Sequence, residues 1–371
     1  MNDLFRNTTN LAYTGLDTFE SDDNSEVPPS DIVAFNELRS CADIYRLNKR
    51  GLLDLKPDFQ RDFVWSTLDQ SRFIDSLIKG LPIPSMCFAH DWKKDQYQVI
   101  DGLQRISTIA RFLDGDPKWK LSKEEDIDPK IAGKRVSDIR DGASSIRKYF
   151  DRVENISIPI TILRCDMSKS THSEYVFTIF HRLNTGGTKL NNQEIRNCIF
   201  SGPFNDALAD FDQYANWRSL NQMDDGKNYR FTKQEIILRL FAFLENRLKY
   251  KGRLSKFLND YMRTNRYASA EKIDDMRNIF EWTSDAIYEG IFNREAPKSI
   301  NVSVFESVLV GVANNIEYWE HSGFGDIKSR YDMLLKSEPF SPERLKEGLS
   351  GKPRVDERMQ TAIGAFGPDG I

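Results

Sequence analysis

Residues 98–105 read Gln98-Val99-Ile100-Asp101-Gly102-Leu103-Gln104-Arg105 and join two apolar patterns. The run that ends at Ile100 favours a strand, whereas the spacing of Ile106, Ile109 and Leu113 predicts a helix that begins after Gly102. A strand followed at once by a helix points backbone N–H groups and the positive end of the helix dipole at one place. The stretch therefore predicts an anion site, with phosphate as the obvious ligand.

The side chains of this turn suit such a ligand. Gly102 permits close backbone approach, Arg105 offers a bidentate fork, and Ser107 and Thr108 add hydroxyls in the first helical turn. An ordinary junction remains the alternative, with Asp101 capping the helix and Arg105 in a surface ion pair. Both interpretations stay open at this stage.

The 371 residues are enough for about two domains. Charged residues make up 29% and hydrophobic residues 39%, which is typical of a soluble globular protein. No window reaches the apolar length of a membrane span, and the first ten residues lack the order of a signal peptide, so we expect a cytoplasmic protein and no membrane partner. The cysteines lie far apart and are expected to be free thiols.

Acidic residues are concentrated near the beginning of the chain. Seven acids and no base lie between Asn7 and Leu38, which predicts a flexible acidic arm over residues 1–34. The net charge is −4, so binding to nucleic acid would need a local basic patch.

The rest of the chain reads as a mixed domain followed by a helical one. Residues 86–90 and 97–101 predict a hairpin, and the alternation in residues 156–163 predicts a strand, with Pro159 indicating an edge or a bulge. From Phe231 onward the apolar spacing is helical throughout. The predicted domains are residues 35–222 and residues 223–371.

Three polar stretches stand out, and together they suggest one site. They are Gln60-Arg61 before Trp65, the turn at residues 101–105, and the loop at residues 184–190. For this loop, a plain turn between two helices is the alternative. The motifs in chain order are Pro57-Asp58-Phe59-Gln60-Arg61-Asp62-Phe63-Val64-Trp65, Leu81-Pro82-Ile83-Pro84, Val99-Ile100-Asp101-Gly102-Leu103-Gln104-Arg105-Ile106-Ser107-Thr108, Arg182-Leu183-Asn184-Thr185-Gly186-Gly187 and Glu194-Ile195-Arg196.

This order of motifs resembles the N-terminal, GmrS-like domain of GmrSD-type modification-dependent restriction enzymes, over roughly residues 35–200. The resemblance implies an α+β fold with a ParB/sulfiredoxin-like mixed α/β domain, here followed by an all-helical C-terminal domain. In that family the Asp-Gly-Gln-Gln-Arg motif is associated with binding and hydrolysis of nucleoside triphosphates. That activity regulates or powers cleavage of modified DNA by a separate HNH nuclease region.

Carried over to this sequence, the resemblance implies that Asp101, Gln104 and Arg105 are the catalytic residues of the nucleotide site. Leu103 stands where many relatives have the first Gln of the motif, which removes one polar contact. Mg²⁺ is expected if hydrolysis occurs, with Asp101 as its candidate ligand. The further residues expected to bind phosphates of the nucleotide or of DNA are Gln60, Arg61, Gly102, Ser107, Thr108, Asn184, Gly187 and Lys189.

A nuclease half is not evident in this chain. Residues 201–371 contain no clustered His-Asn-His arrangement, so an HNH-type nuclease would be a separate partner. The leading hypothesis is a module that binds and hydrolyses nucleoside triphosphates in a prokaryotic DNA restriction or anti-phage defence system. The alternatives are a non-catalytic ParB-like module that binds or senses DNA, and a metal-dependent enzyme that nicks DNA.

Overall fold

The structure, a computed structural model, describes residues 12–14, 28–54, 65–183, 190–224, 231–346 and 348–370. The chain forms two compact units. The first comprises residues 26–190, and the second comprises residues 1–25 with residues 191–371. From the sequence, the boundary is predicted after residue 222, because Gly226 and polar residues cluster between Trp217 and Tyr229.

The elements of the first unit are five strands and six helices within the described residues. The strands are β2 (Val33–Ser40), β3 (Leu53–Asp54), β4 (Met86–Asp91), β5 (Gln96–Asp101) and β6 (Ser157–Cys165); β1 (Ala12–Thr14) belongs to the second unit. The helices are α1 (Cys41–Lys49), α2 (Thr67–Lys79), α3 (Leu103–Leu113), α4 (Val136–Arg140), α5 (Ser144–Asn155) and α6 (Ser170–Leu183).

The five strands form one mixed sheet in the order β2-β6-β4-β5-β3. The pairs β2–β6 and β4–β5 are antiparallel, whereas β4–β6 and β3–β5 are parallel. The predicted hairpin of β4 and β5 is therefore confirmed, and the first unit is a mixed α/β structure.

The sheet is strongly curled. Val33 of β2 is paired with Arg164 of β6, Arg164 with His90 of β4, and His90 with Tyr97 of β5. In a flat sheet, Tyr97 would therefore lie level with Val33. Nevertheless Arg39, at the far end of β2, donates from Nη2 to the Tyr97 hydroxyl at 3.1 Å, with its guanidinium 4.9 Å from the ring centre. Such a displacement along the strand is what a sheet acquires when it bends towards closure.

Helix α2 shows how local sequence fixes an element next to this sheet. Ser66 and Asp69 form a reciprocal capping box at its beginning, and Gly80 ends it in a left-handed conformation with φ of 70°. Phe73, Ile74, Leu77 and Ile78 are buried in the main core of the unit. Local sequence signals thus mark both ends and the apolar face of this helix.

Strand β6 corrects one expectation. Pro159 suggested an edge or a bulge, but β6 lies inside the sheet between β2 and β4. Pairing with β4 begins only at Ile160, while Pro159 has Leu38 of β2 opposite it. A proline without an N–H is tolerated here because the ladder with β4 has not yet begun.

The second unit is built mainly of helices. They are α7 (Asn192–Ile199), α8 (Pro203–Phe211), α9 (Ala215–Leu220), α10 (Thr232–Asn246), α11 (Leu254–Asn265), α12 (Ala270–Asp285), α13 (Val302–Ala313), α14 (Ile316–Ser322), α15 (Ile327–Leu334) and α16 (Lys352–Ala365). Strand β7 (Ser299–Asn301) pairs in parallel with β1. The C-terminal part is therefore not all helical. Within residues 1–34, which the sequence predicts as an acidic flexible arm, the described residues include β1 and the start of β2.

A buried ionic network joins four helices of this unit. Arg196 of α7 donates to Glu235 of α10 at 2.9 Å, and Arg239 bridges Glu235 at 2.8 Å and Glu306 of α13 at 2.9 Å. Arg358 of α16 lies 3.7 Å from Glu306. Each of these buried charges has a partner of opposite sign, which such an arrangement requires.

Candidate functional site

The turn at Asp101 joins the end of β5 to the beginning of α3. Gly102 has a φ of 104°, a left-handed conformation that other residues rarely adopt. A Cβ at this position would lie 2.6 Å from Cγ of the buried Met86. Both the backbone angle and the close contact therefore require glycine.

A β-bulge precedes this turn. Cys87 of β4 is paired with Asp101, and the next residue, Phe88, is paired with Val99, so Ile100 is an extra residue on β5. Bulges of this kind change the direction in which the following side chain points, and they are common beside functional sites.

Arg105 joins the turn to the segment before β4. Its Nη1 donates to the carbonyl oxygen of Pro84 at 2.5 Å, and its Nη2 donates to Oδ2 of Asp101 at 2.5 Å. The Arg105 side chain is only 12% exposed, whereas that of Asp101 is 42% exposed. The guanidinium is thus held in place while the carboxylate is accessible to solvent.

Gln104 connects the turn to the end of an earlier motif. Its Oε1 accepts a hydrogen bond from the backbone N–H of Trp65 at 3.2 Å. The Trp65 carbonyl in turn accepts from Nε2 of Gln70 at 2.7 Å, and the Trp65 ring packs edge-on against Phe73. Since its oxygen is already used, the Gln104 side chain presents its NH₂ group as a donor.

The other residues near the start of α3 differ in accessibility. The first helical hydrogen bond runs from the Ile106 N–H to the Gly102 carbonyl, and no side chain caps the helix. Thr108 is buried and donates its hydroxyl to the Gln104 carbonyl at 2.7 Å, whereas Ser107 is half-buried. Leu103 packs against the main core, so this position of the turn has an apolar contact.

The structure thus brings parts of three motifs together: Trp65, Pro84 and the turn at residues 101–105. Residues 184–189 of the fourth motif, the loop before Leu190, lie outside the described part of the chain. The predicted site residues outside the described part of the chain are Gln60, Arg61, Asn184, Gly187 and Lys189.

The thiol beside the turn is not a nucleophile. Burial raises the pKa of Cys87 to about 12, and the negative charge of Asp101 adds to the rise. Burial likewise raises the pKa values of Cys41 and Cys165 to about 12. These thiols are protonated at neutral pH, so the chemistry of the turn depends on its carboxylate, amide and guanidinium groups.

A second polar cluster was missed by the sequence analysis. His172 accepts the Asp166 backbone N–H at Nδ1 (2.9 Å), so it carries its proton on Nε2, which lies 2.8 Å from Asp31. Asp166 is bound by Lys93 at 2.8 Å. Burial raises the pKa of Asp166, but the hydrogen bonds from Lys93 and Ser168 outweigh it and lower the pKa to about 2.

This cluster lies at the other end of β4 from the turn, because Asp101 is paired with Cys87 and Cys165 with Asp91. Cys87 and Asp91 are four residues apart along the strand, or about 13 Å. The cluster ties the segment before β2 to α6 through Asp31 and His172. Its members are isolated in the sequence, so no spacing signal could have revealed them.

Residues 41–201 match the family model of the GmrSD restriction endonuclease, N-terminal domain. This segment is a GmrSD-type N-terminal domain. The match places it in a family of DNA restriction and defence, as the motifs had indicated. No curated protein and no solved structure matches the chain.

The GmrSD-type domain contains the turn and all the strands of the curled sheet except β2. It covers less than half of the 371 residues. Its last part includes Arg196, which belongs to the buried ionic network of the second unit.

The described residues contain neither a cluster that could hold a metal ion nor a helix that could span a membrane. Within those residues, no group of three or more histidine, cysteine, aspartate or glutamate side chains is arranged to hold a metal ion. Among the helices described, none is long and apolar enough to cross a membrane.

Proposed function

We propose that the turn at residues 101–105 binds the phosphates of a nucleoside triphosphate and that the protein hydrolyses it as a module of a DNA restriction or anti-phage defence system. One observation carries this proposal. Within a GmrSD-type domain, a left-handed glycine begins a helix that has no side-chain cap, and Asp101, Gln104 and Arg105 surround that helix end.

Each polar group at the turn has a defined part in the proposal. The first N–H groups of α3 lack partners within the helix and would bind phosphate oxygens, together with the NH₂ group of Gln104. Ser107 adds a hydroxyl at the same helix end. Thr108 would support the site indirectly, since its hydroxyl is bonded to the Gln104 carbonyl.

The ion pair between Asp101 and Arg105 holds both side chains at the place where a phosphate would bind. A phosphate that approaches Arg105 would share its guanidinium with Asp101 or displace that carboxylate. The exposed Asp101 could then hold Mg²⁺ or orient the attacking water. One carboxylate is a sufficient protein ligand, because Mg²⁺ in nucleotide sites is commonly held by one or two carboxylates together with substrate phosphates. Bound Mg²⁺ would neutralise the charge that develops on the phosphates.

Residues of the other motifs would complete the site. Arg61 precedes Trp65 by four residues, which limits the separation of their Cα atoms to about 14 Å, and Trp65 is bonded to Gln104. We therefore propose that Gln60 and Arg61 contact the phosphates. Asn184, Gly187 and Lys189 would line the opposite wall, with the glycine allowing backbone amides to approach an anion.

The family resemblance also implies a fold, a target and a partner protein, and these three expectations form part of the same proposal. The curled sheet with its strand-turn-helix site would be a variant of the ParB/sulfiredoxin-like core. DNA would be the target of the system, and an HNH-type nuclease would be a separate partner.

A non-catalytic module that binds or senses DNA is the second candidate. Two observations favour it: Leu103 packs into the core where many relatives have Gln, and Arg105 is already bound by Asp101 and Pro84. In that case the same helix end would bind a DNA phosphate.

Phosphate release from a panel of nucleoside triphosphates with Mg²⁺, with and without DNA, separates the two candidates. The wild type is compared with Arg105→Ala, Arg105→Lys and Asp101→Asn, and unfolding is followed in parallel to detect loss of structure. Turnover that is lost in Arg105→Ala and Asp101→Asn while both variants remain folded would support the hydrolase. Absence of turnover with intact, salt-sensitive DNA binding would instead support the sensor.

A further inference from the structure

The connection between α10 and α11, together with the first turn of α11, is strongly basic. It contains Arg247, Lys249, Lys251, Arg253 and Lys256 but no acid, and the acids on either side are Glu245 and Asp260. We call residues 247–256 the basic connection. It lies in the second unit and outside the segment that matches the GmrSD-type family.

Most of its charges are uncompensated. Lys249, Lys251 and Arg253 are exposed and Arg247 is half-buried, and none of these four forms an ion pair with the described residues. Lys256, by contrast, lies 3.5 Å from Asp260.

The acids nearest in sequence are already occupied. Glu245 accepts from Lys272 at 3.0 Å, and Asp260 is shared by Lys256 and Arg263. Among the described residues of the helical unit, the basic connection therefore has a local excess of positive charge that no ion pair neutralises.

The start of α16 lies beside the basic connection. The Tyr250 hydroxyl donates to the Ser350 carbonyl, and a Cβ added at Gly252 would lie 3.4 Å from the backbone nitrogen of Lys352. Helix α16 begins at Lys352 without a side-chain cap and without an acid in its first turn. The dipole of this helix adds positive potential next to the basic connection.

We propose that the basic connection and the adjacent start of α16 form a docking surface for the phosphate backbone of duplex DNA. Closely spaced, unpaired cations on an exposed surface suit phosphates, which repeat along each strand and are contacted without reading the base sequence. The choice of DNA among polyanions rests on the proposed function in a DNA defence system. Leu248, 87% exposed within this surface, would contact the sugar edges.

Fluorescence anisotropy with a labelled duplex of 30 base pairs tests this surface in the full chain without nucleotide. Binding is measured over a series of salt concentrations for the wild type and for the triple variant Lys249→Gln/Lys251→Gln/Arg253→Gln. The matched control is Lys298→Gln/Lys328→Gln/Lys336→Gln, which removes the same charge from exposed positions elsewhere in the unit.

We expect the triple variant to bind the duplex at least about tenfold more weakly than the wild type, and the slope of log affinity against log salt to fall by about 2.7. The control should match the wild type. Equal affinity and slope in the triple variant, or no DNA binding by the wild type, would overturn the proposal. So would loss of binding to vesicles containing phosphatidylserine while DNA binding is unchanged.

The same variants distinguish this surface from the nucleotide site. The triple variant should retain the phosphate release that the wild type shows without DNA, since the basic connection is not part of the turn at residues 101–105. If neither protein releases phosphate but the triple variant alone loses DNA binding, the docking surface stands and the hydrolase proposal fails.

Discussion

The side-chain oxygen of Gln104 accepts a hydrogen bond from the backbone N–H of Trp65, 39 residues earlier in the chain, at 3.2 Å. This contact fixes the end of the segment that contains Gln60 and Arg61 to the first turn of α3. It also determines which group of Gln104 remains available, namely the NH₂ donor. The contact therefore links the positioning of one motif to the proposed ligand chemistry of another.

Substitutions of Gln104 separate these two roles. Gln104→Glu keeps an acceptor for Trp65, so the free energy of unfolding should change by less than about 1 kcal/mol, but it removes the donor and adds negative charge. Nucleotide binding should therefore be lost although the fold is retained. Gln104→Ala should lose both binding and about 1 kcal/mol of stability. Urea unfolding and nucleotide titration check both variants, and a Gln104→Glu protein that binds nucleotide normally would contradict the proposed role.

Gly102→Ala should destabilise the protein by about 2–3 kcal/mol, because the new Cβ adds a clash with Met86 to an unfavourable backbone angle. The matched control is Gly51→Ala, where φ is 69° and no atom lies within 4 Å of the new Cβ. This control should cost about 1 kcal/mol. Urea unfolding measures the change in the free energy of unfolding for both variants. Equal changes would show that the contact with Met86 is unimportant.

The buried ionic network should be sensitive to the loss of one charge. Glu235→Gln leaves Arg196 and Arg239 without their shared carboxylate and should cost about 3 kcal/mol. Glu338→Gln, which breaks an exposed pair with Arg344, should cost less than about 1 kcal/mol. Thermal or chemical unfolding tests the contrast. Similar small losses for both variants would mean that the network does not hold the helices together.

The lowered pKa of Asp166 predicts that the protein loses stability in acid. Its pKa in the folded protein is about 2, below the ordinary value of 3.8, so the unfolded chain binds more protons between these two values. The stabilisation is complete above pH 4 and is lost as the pH falls towards 2. Asp166→Asn should therefore flatten the stability profile in this window, while Asp274→Asn, at an exposed position, should leave it unchanged. Parallel profiles for the wild type and Asp166→Asn would refute the assignment.

Local signals in the sequence predicted several elements correctly. The pair of Ser66 and Asp69 marked the beginning of α2, the pair of Asn191 and Glu194 forms the capping box of α7, and the strand-turn-helix at Gly102 was recognised from its apolar spacing. These features depend on residues within one or two turns of each other, which is why the sequence shows them.

Contacts between distant segments had no such signal. Nothing near Arg105 indicates that it binds the Pro84 carbonyl, and the interior position of β6 depends on how β2 pairs. Glu235 and Arg239 have the spacing of an exposed ion pair, yet Arg239 is buried and Glu235 is only 15% exposed, because every residue from Ile236 to Phe243 of α10 is buried. A helix that is apolar all round is a buried helix, and that signal could have indicated the network.

Equilibrium binding of a slowly hydrolysed nucleoside triphosphate analogue, with Mg²⁺ and without DNA, tests the central claim most directly. The wild type is compared with Arg105→Ala and with Arg72→Ala, which removes another arginine paired with a carboxylate, at 2.7 Å from Asp126. We predict saturable binding by the wild type and by Arg72→Ala, and affinity at least about tenfold weaker for Arg105→Ala, as expected for loss of a charge-assisted bidentate contact. Equal affinity in all three proteins, or no binding by the wild type, would contradict a nucleotide site at this turn.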